Sequence, residues 1–147
     1  MKPLSPLKKP RPPLTTRSWE VVSISYVMDC VRMVQTAKLD GIDFVFPRAI
    51  PSKYQDDLES NIVCITEIRD LPVSYGSDRS TKKLQAVGVN VYYGSGNTVN
   101  TEDLEDQLTG LFEAHKWYCI YSPGSTLDPD TNQLTKIFQF QRTKRKL

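Results

Sequence analysis

The stretch "VNVYYGSGNTVNTEDLEDQL", residues 89–108, places a strand, a glycine turn and the start of an acidic helix in direct succession. Such a turn can cradle phosphate when its backbone N–H groups converge at a helix start and a lysine or a GxGxxG spacing accompanies them. This turn has two glycines and neither addition, and four carboxylates that repel phosphate open the helix. The sequence therefore predicts a corner in a scaffold.

The segments on both sides of the turn are periodic. In "KLQAVGVNVYY" (83–93), alternate residues form one strongly apolar face, which is typical of a strand. The helix that follows begins at Asn100, a good N-cap, and ends near His115 and Lys116, where positive charge suits the helix dipole. Its predicted buried stripe consists of Leu104, Leu108, Leu111 and Phe112.

The remaining segments complete an α+β pattern. A helical stripe starts at Ser23 and ends near Gly41, where glycine can supply a left-handed cap. Further strands are predicted over 42–47, 61–69, 117–122 and 134–143. The order α-β-β-β-α-β-β favours a largely antiparallel sheet of four to five strands with two helices packed on one face.

The predicted connections differ in character. The two prolines of residues 47–54 indicate an extended segment, and residues 123–133 form a turn-rich loop. Between the second and third strands, residues 70–82 are polar and rich in turn formers. A loop of that length is more than a hairpin needs, so we expect it to have a function.

The size and composition indicate one domain. Of 147 residues, 39% are hydrophobic, which is enough for one sizeable core. No apolar run reaches the ~20 residues that cross a bilayer, and no signal-peptide stretch opens the chain, so we expect a soluble protein made in a cytoplasm. Cys30, Cys64 and Cys119 are far apart on apolar segments, and we interpret them as reduced, buried core residues.

Charge divides the chain into three parts. Residues 1–17 carry five basic side chains and residues 142–147 carry four, and neither segment has an acid. The other ten basic residues are set against 17 acids, so the stretch between carries a net charge of −7. We therefore divide the chain into a basic Pro-rich arm (1–20), a globular domain (21–143) and a basic tail (144–147). The arm is either a flexible tail or a segment that docks on a neighbouring subunit or on nucleic acid.

Patterns for catalysis are weak. The single histidine, His115, excludes a His-rich metal site and lacks the neighbours of a catalytic triad. Asp56, Asp57 and Glu67 with Arg69 loosely match a magnesium nuclease, but ordinary surface charges explain them better. We therefore expect no enzyme activity, no catalytic or metal-binding residues and no cofactor.

The order of the predicted elements and the sequences of four segments resemble those of a known family. The relevant segments are "FVFPRAIP", "VSYGSDRSTKKLQAVGVNVYYG", "GLFEAHKWYCIYSPG" and "LDPDTNQLTKIFQFQR". Together with the first helix, they resemble the tail terminator (tail completion) proteins of long, non-contractile-tailed bacteriophages, particularly those of Gram-positive hosts. The resemblance covers residues 24–143 and leaves the Pro-rich arm outside.

The resemblance implies a structural virion protein. It implies a homohexameric ring, assembled in the host cytoplasm, that caps the tail tube at its head-proximal end, stops tube polymerisation and joins the tube protein to the head-tail connector. DNA would pass through the ring without specific binding, and no membrane would be involved. An acidic body suits such a channel, since a basic wall would gain affinity for DNA by counterion release.

Two groups of residues are candidates for contacts in such an assembly. The polar loop supplies the candidates for contact with the next subunit or the tube, which are Ser74, Tyr75, Asp78, Arg79, Lys82 and Lys83. The second helix supplies acids beyond what capping requires, which are Glu102, Asp103, Glu105 and Asp106. These acids are either a solvated face, a channel lining, or a contact to a basic patch on the next subunit such as "RTKRK" (142–146).

Two other functions remain open at this point. One is a head-completion or neck connector protein of the same virion. The other is a nucleic-acid-binding module that works through the basic ends, and salt-sensitive binding to nucleic acid would distinguish it.

Overall fold

A computed structural model of the protein describes residues 25–145. The Pro-rich arm, Ile24 of the first helical stripe and the last two residues of the basic tail lie outside the described residues. The helices are α1 (Tyr26–Ala37), α2 (Ser52–Gln55) and α3 (Thr101–Ala114). The strands are β1 (Phe44–Pro47), β2 (Ile62–Gly76), β3 (Arg79–Tyr93), β4 (Tyr118–Tyr121), β5 (Thr126–Leu127) and β6 (Leu134–Arg145).

The described strands form one mixed sheet, which confirms the α+β class. The strand order is β1-β2-β3-β6-β4, and β5 pairs with β6 beside β4. The sheet has six strands, and not four to five, because the short β5 lies within the segment that we interpreted as a turn-rich loop. All pairs are antiparallel except β1 with β2. The connection from β1 to β2 is long enough for a parallel crossover and contains α2, a helical turn that the prolines had concealed.

Both long helices contribute to one core on the same side of the sheet. From α1 come mainly Val27, Met28, Cys30, Val31 and Val34, and from α3 come Leu104, Leu108 and Phe112. The sheet contributes Val63, Ile65, Val87, Val89, Val91, Phe138 and Phe140. The ring of Phe112 stacks on that of Phe140 with the centroids 4.2 Å apart, so the middle of α3 is fixed over β6.

The ends of α1 differ from the prediction at one point. Ser25 caps the N-terminus by accepting a hydrogen bond from the backbone N–H of Met28. The predicted glycine cap is wrong, because the left-handed residue after the helix is Lys38, with φ of 50°. Gly41 follows in the connection with φ of 100°, and a Cβ there would lie 2.6 Å from Cγ2 of Val99. Glycine is therefore needed at this position for packing and backbone conformation together.

The prediction of a loop over residues 70–82 is wrong, because most of these residues form strands. Strands β2 and β3 continue through it and are joined by Ser77 and Asp78, whose φ angles are 51° and 66°. Two successive left-handed residues are the signature of a type I′ hairpin turn. Likewise β6 continues to Arg145, so Lys144 and Arg145 belong to a strand and not to a tail. The sequence does not predict these strands, because neither face is buried and so no alternation of apolar residues is imposed on them.

The glycine turn after β3 is held by a buried asparagine. Asn61 is 4% exposed, and its amide group donates hydrogen bonds to the carbonyl oxygen of Gly41 (2.7 Å) and to Oδ1 of Asn97 (2.9 Å). Its Oδ1 accepts a hydrogen bond from the N–H of Gly94 at 2.7 Å. Thus one side chain joins the segment before β1, the start of β2 and the end of β3.

The turn uses its own N–H groups within the chain. The N–H of Ser95 donates to the carbonyl of Leu58, and that of Gly96 donates to the carbonyl of Glu59. Together with Gly94, three successive N–H groups are therefore taken by intrachain acceptors and do not converge on an outside anion. The turn is a structural corner.

Two glycine substitutions test this corner. A Cβ on Gly94 would lie 2.2 Å from the backbone oxygen of Glu59, whereas one on Gly110 in α3 meets nothing within 4 Å. We expect Gly94→Ala to lower the free energy of unfolding by about 1–3 kcal/mol or more through overpacking. Gly110→Ala should raise it by about 0.5–1 kcal/mol, because alanine loses less backbone entropy in a helix. Denaturant titration measures both, and a neutral Gly94→Ala would contradict the described corner.

Candidate functional site

The most prominent surface feature is a basic ribbon, which we define as residues 66–84 of β2 and β3 with residues 143–145 of β6. No residue of the ribbon is buried. It extends the sheet beyond the part that the helices cover, and its free end is the turn at Ser77 and Asp78. A long, solvent-exposed strand pair of this kind contributes little to the core, so its sequence is free to serve contacts outside the subunit.

Like charges lie directly opposite one another in the ribbon. Lys82 pairs with Arg145 and Lys83 pairs with Lys144 across β3 and β6. The ribbon carries six basic and three acidic residues, and so has a net charge of +3. Like charges placed opposite each other destabilise a sheet. The arrangement is therefore unfavourable within the isolated subunit.

Few of these charges are neutralised locally. Lys83 lies 3.4 Å from Asp70, and Arg48 lies 3.8 Å from Glu67. Among residues 25–145, Arg79, Lys82, Lys144 and Arg145 have no acidic side chain within salt-bridge distance.

The structure brings all six predicted interface residues to the ribbon. Ser74 is left-handed, with φ of 58°, and its carbonyl accepts a hydrogen bond from the hydroxyl of Thr81. Tyr75 is 70% exposed beside the turn. Asp78 forms the turn with Ser77, and Arg79, Lys82 and Lys83 follow it on β3. They lie on one hairpin because the chain folds back on itself, and not because a loop gathers them, and Lys82 and Lys83 point to opposite faces of it as successive strand residues.

The base of the ribbon is fixed by a polar cluster that the sequence did not reveal. Gln85 is 5% exposed, accepts a hydrogen bond from Nε of Arg142 at 3.0 Å and donates one to Asp70 at 3.4 Å. The guanidinium of Arg142 lies 4.4 Å from the ring centroid of Trp117. The only available signal was a glutamine on the apolar face of β3. This cluster joins the base of the ribbon to the core.

The acids of α3 do not form a uniform set. Asn100 caps the helix by accepting a hydrogen bond from the N–H of Asp103 at 3.1 Å. The carboxylate of Glu105 is half-buried and accepts a hydrogen bond from the hydroxyl of Tyr93 at 2.8 Å. Glu102, Asp103 and Asp106 are exposed. Glu105 thus has a contact within the fold, and the exposed acids are the ones free to face a channel or a partner.

The residues weighed for catalysis have local roles. Nδ1 of His115 lies 3.0 Å from the carbonyl oxygen of Leu111 at the end of α3. Asp57 accepts hydrogen bonds from the Ser60 side chain and from two backbone N–H groups, which lower the pKa of its carboxyl group. Within residues 25–145, no group of three or more His, Cys, Asp or Glu side chains is placed to hold a metal ion.

The edge formed by β4 and β5 is a second surface that the sequence did not indicate. Tyr118, Ile120 and Tyr121 are each about half exposed, and Leu127 on β5 is 59% exposed. Cys30 and Cys64 are buried as expected, but Cys119 is exposed, so its assignment to the core is wrong. The predicted strand over 117–122 is present as β4, but of these residues only Trp117 is buried, because the strand lies at the edge of the sheet.

The contact between Tyr93 and Glu105 predicts an alkaline effect on stability. Burial, then the hydrogen bond to Glu105 and its charge, raise the pKa of Tyr93 above the ordinary value of 10.0. The unfolded chain therefore ionises first, and the stabilisation present below pH 10 is lost as the pH rises further. We expect Tyr93→Phe to lose less unfolding free energy above pH 10 than the wild type.

The control for this experiment is Tyr75→Phe. This side chain is exposed on the ribbon, so its variant should follow the wild-type pH profile. Denaturant titrations at pH 7 to 12 measure all three proteins. Parallel profiles for wild type and Tyr93→Phe would contradict the assigned contact.

None of the helices in the described part of the chain has the length and apolar character needed to span a membrane.

Comparison with known proteins places the chain in one family. No curated protein matches the chain. Residues 25–145, which include every described helix and strand, match the family described as "Protein of unknown function (DUF806)". Since this match covers most of its length, the chain belongs to the DUF806 family.

Proposed function

We propose that the protein is a structural virion protein that assembles as a ring on the phage tail tube, terminates tube polymerisation and joins the tail to the head. The sequence resemblance to tail terminator proteins suggests this function. The observation that carries it in the structure is the basic ribbon, whose opposed like charges have few acidic partners among residues 25–145. Such a surface is best explained by a partner that neutralises it.

The ribbon has the chemistry of a docking element. Its cations need carboxylates from a partner, and opposite charges across an interface steer association and fix its register. Tyr75, 70% exposed near the tip, offers an aromatic anchor of the type that contributes strongly to binding when a partner covers it. The tube protein or the head-side connector would supply the acidic surface.

The distribution of charge suits a protein with two different partners. Strand β3 runs from the ribbon tip to the corner at Gly94, and α3 begins just after that corner. The exposed acids Glu102, Asp103 and Asp106 therefore lie at the far end of β3 from the basic ribbon. In a ring whose subunits are aligned along the tail axis, one end would be basic and the other acidic. The acidic end would face the DNA channel or the second partner.

A nucleic-acid-binding module is the second candidate. Phosphate groups would also relieve the repulsion within the opposed pairs, which are Lys82 with Arg145 and Lys83 with Lys144. Binding of that kind falls steeply as salt concentration rises, because condensed counterions are released from the nucleic acid. A head-completion or neck connector protein is a further alternative, distinguished by binding to the portal side in place of the tube.

The mass of the purified protein tests the ring. We expect light scattering to show a hexamer, or a monomer and a hexamer in exchange, because the tube can template assembly in the virion. Electron microscopy of the larger species should show a ring with a central opening. A dimer that persists at all concentrations would contradict the proposal.

Charge reversal in the ribbon tests the docking surface. Arg79→Glu with Lys82→Glu should leave the melting temperature nearly unchanged, since both side chains are exposed and Lys82 already opposes Arg145. The variant should fail to join tails to heads, measured as the yield of infectious particles when it replaces the wild-type gene. Lys53→Glu on α2, an exposed reversal away from the ribbon, is the control.

The outcomes separate the candidates. A normal yield from the double variant would contradict the role of the ribbon in joining. Salt-dependent binding of the wild type to duplex DNA, lost in the double variant, would favour the nucleic-acid-binding module.

A further inference from the structure

We infer that the two open edges of the sheet bind each other between copies of this chain, with the β4–β5 edge of one subunit seated in the groove beside β1 of the next. The inference rests on the proposed ring and names the surfaces that would form it. It concerns a contact between subunits and does not involve the ribbon.

The first observation is that the sheet has two unlike edges. Strand β1 pairs only with β2, and β4 pairs only with β6, so each exposes one line of backbone N–H and C=O groups among the described residues. Open edges are sites for strand addition by another chain. Two different edges on one subunit allow a head-to-tail contact, which can close into a ring.

The second observation is that one edge presents large side chains and the other has a groove of mixed polar and apolar lining. All four residues of β4 are exposed, and three of them, Tyr118, Ile120 and Tyr121, are large and apolar or aromatic. Beside β1, the C-terminal half of α1 and the following segment form a groove of about 600 Å³. Its apolar lining residues are Val34, Leu39, Ile42, Phe44, Val45 and Phe46. A groove of this size accepts side chains of the kind that β4 presents.

The third observation is charge complementarity. The β1 side of the molecule, residues 40–59, has five acids and two basic residues. The opposite side, residues 116–142, has three basic residues and two acids, so its net charge is +1, against −3 for the β1 side. Two copies of the same edge would therefore place like charges together, whereas unlike edges place opposite charges together. This favours a second copy of the chain as the occupant, in a head-to-tail arrangement.

The contact would be modest in strength. Strands β1 and β4 have four residues each, β1 ends at Pro47, and β4 has an irregular register at Ile120. Only a few intersubunit hydrogen bonds can form along such short edges. Assembly should therefore depend on concentration, and ring closure or a template would supply the remaining stability.

The exposed Cys119 provides a direct test. Cys119 lies opposite Phe140 and Val45 lies opposite Val63, so both point to the side of the sheet that carries the helices. Val45→Cys should form disulfides with Cys119 of the next copy under mild oxidation, which gives a ladder of oligomers on non-reducing gels. Phe44→Cys is the matched control, because its side chain points to the other side and should give little ladder.

Several outcomes would overturn the inference. They are the absence of a ladder from Val45→Cys, an equal ladder from Phe44→Cys, and a native chain that forms dimers through Cys119 alone. A ladder that appears only after removal of residues 1–20 would assign the groove to the Pro-rich arm and overturn it as well.

A second pair of variants covers the case in which Val45→Cys fails to fold. Tyr121→Lys should abolish the ring at concentrations where the wild type assembles, while Leu71→Lys, at a half-exposed apolar residue away from the β1 and β4 edges, should leave the ring mass unchanged. Equal effects of both variants would contradict the inference.

The mass of the wild type keeps this inference separate from the proposed function. Rings that form without any Val45–Cys119 crosslink leave the proposed function standing and refute the edge contact. A crosslinked ladder in a protein that forms open filaments and no rings supports the edge contact and refutes the tail-terminating ring.

Discussion

The buried side chain of Asn61 is the contact on which the arrangement of the molecule depends. It hydrogen-bonds the chain before β1, the corner after β3 and Asn97 near the start of α3. Its own N–H donates to the carboxylate of Asp43 at 2.8 Å. A buried polar group left without partners costs about 1–3 kcal/mol, so these segments are strongly held together. This asparagine thus ties the segment before β1 to the turn that leads into α3.

A second polar contact fixes the opposite end of the molecule. Gln85 and Arg142 join β3 to β6 where the core ends, and Trp117 covers the guanidinium. Beyond this point the strands continue as the basic ribbon, which no helix within residues 25–145 covers. The fold thus has a stable body between two anchored ends, and its unusual charges are placed where they do not weaken the core. This arrangement is compatible with the assembly function that we propose.

The sequence predicted the parts of the fold in which one face is buried. The core imposes the alternation in β3 and the apolar stripe of α3. Both therefore appear in the sequence, as apolar residues with periods of 2 and 3.6 residues. The ribbon has no buried face, so the sequence predicts a loop where the structure has two strands. The edge strand β4 shows the opposite error, since the sequence predicts a buried Cys119 and the structure exposes it. The six proposed interface residues between Ser74 and Lys83 do lie together, but not in a loop. The polarity of this segment indicates that it is exposed and does not indicate that it forms a hairpin.

By itself, the sequence determined the α+β class, the corner after β3, the cap at Asn100 and the separation of charge along the chain. These features depend on local backbone chemistry or on the periodicity that a core imposes. Only the tertiary structure decided which charges oppose each other, that Glu105 is held by Tyr93, and that the two sheet edges differ in shape and charge. Strand register and edge position arise from pairing between residues far apart in sequence, and no local pattern encodes them.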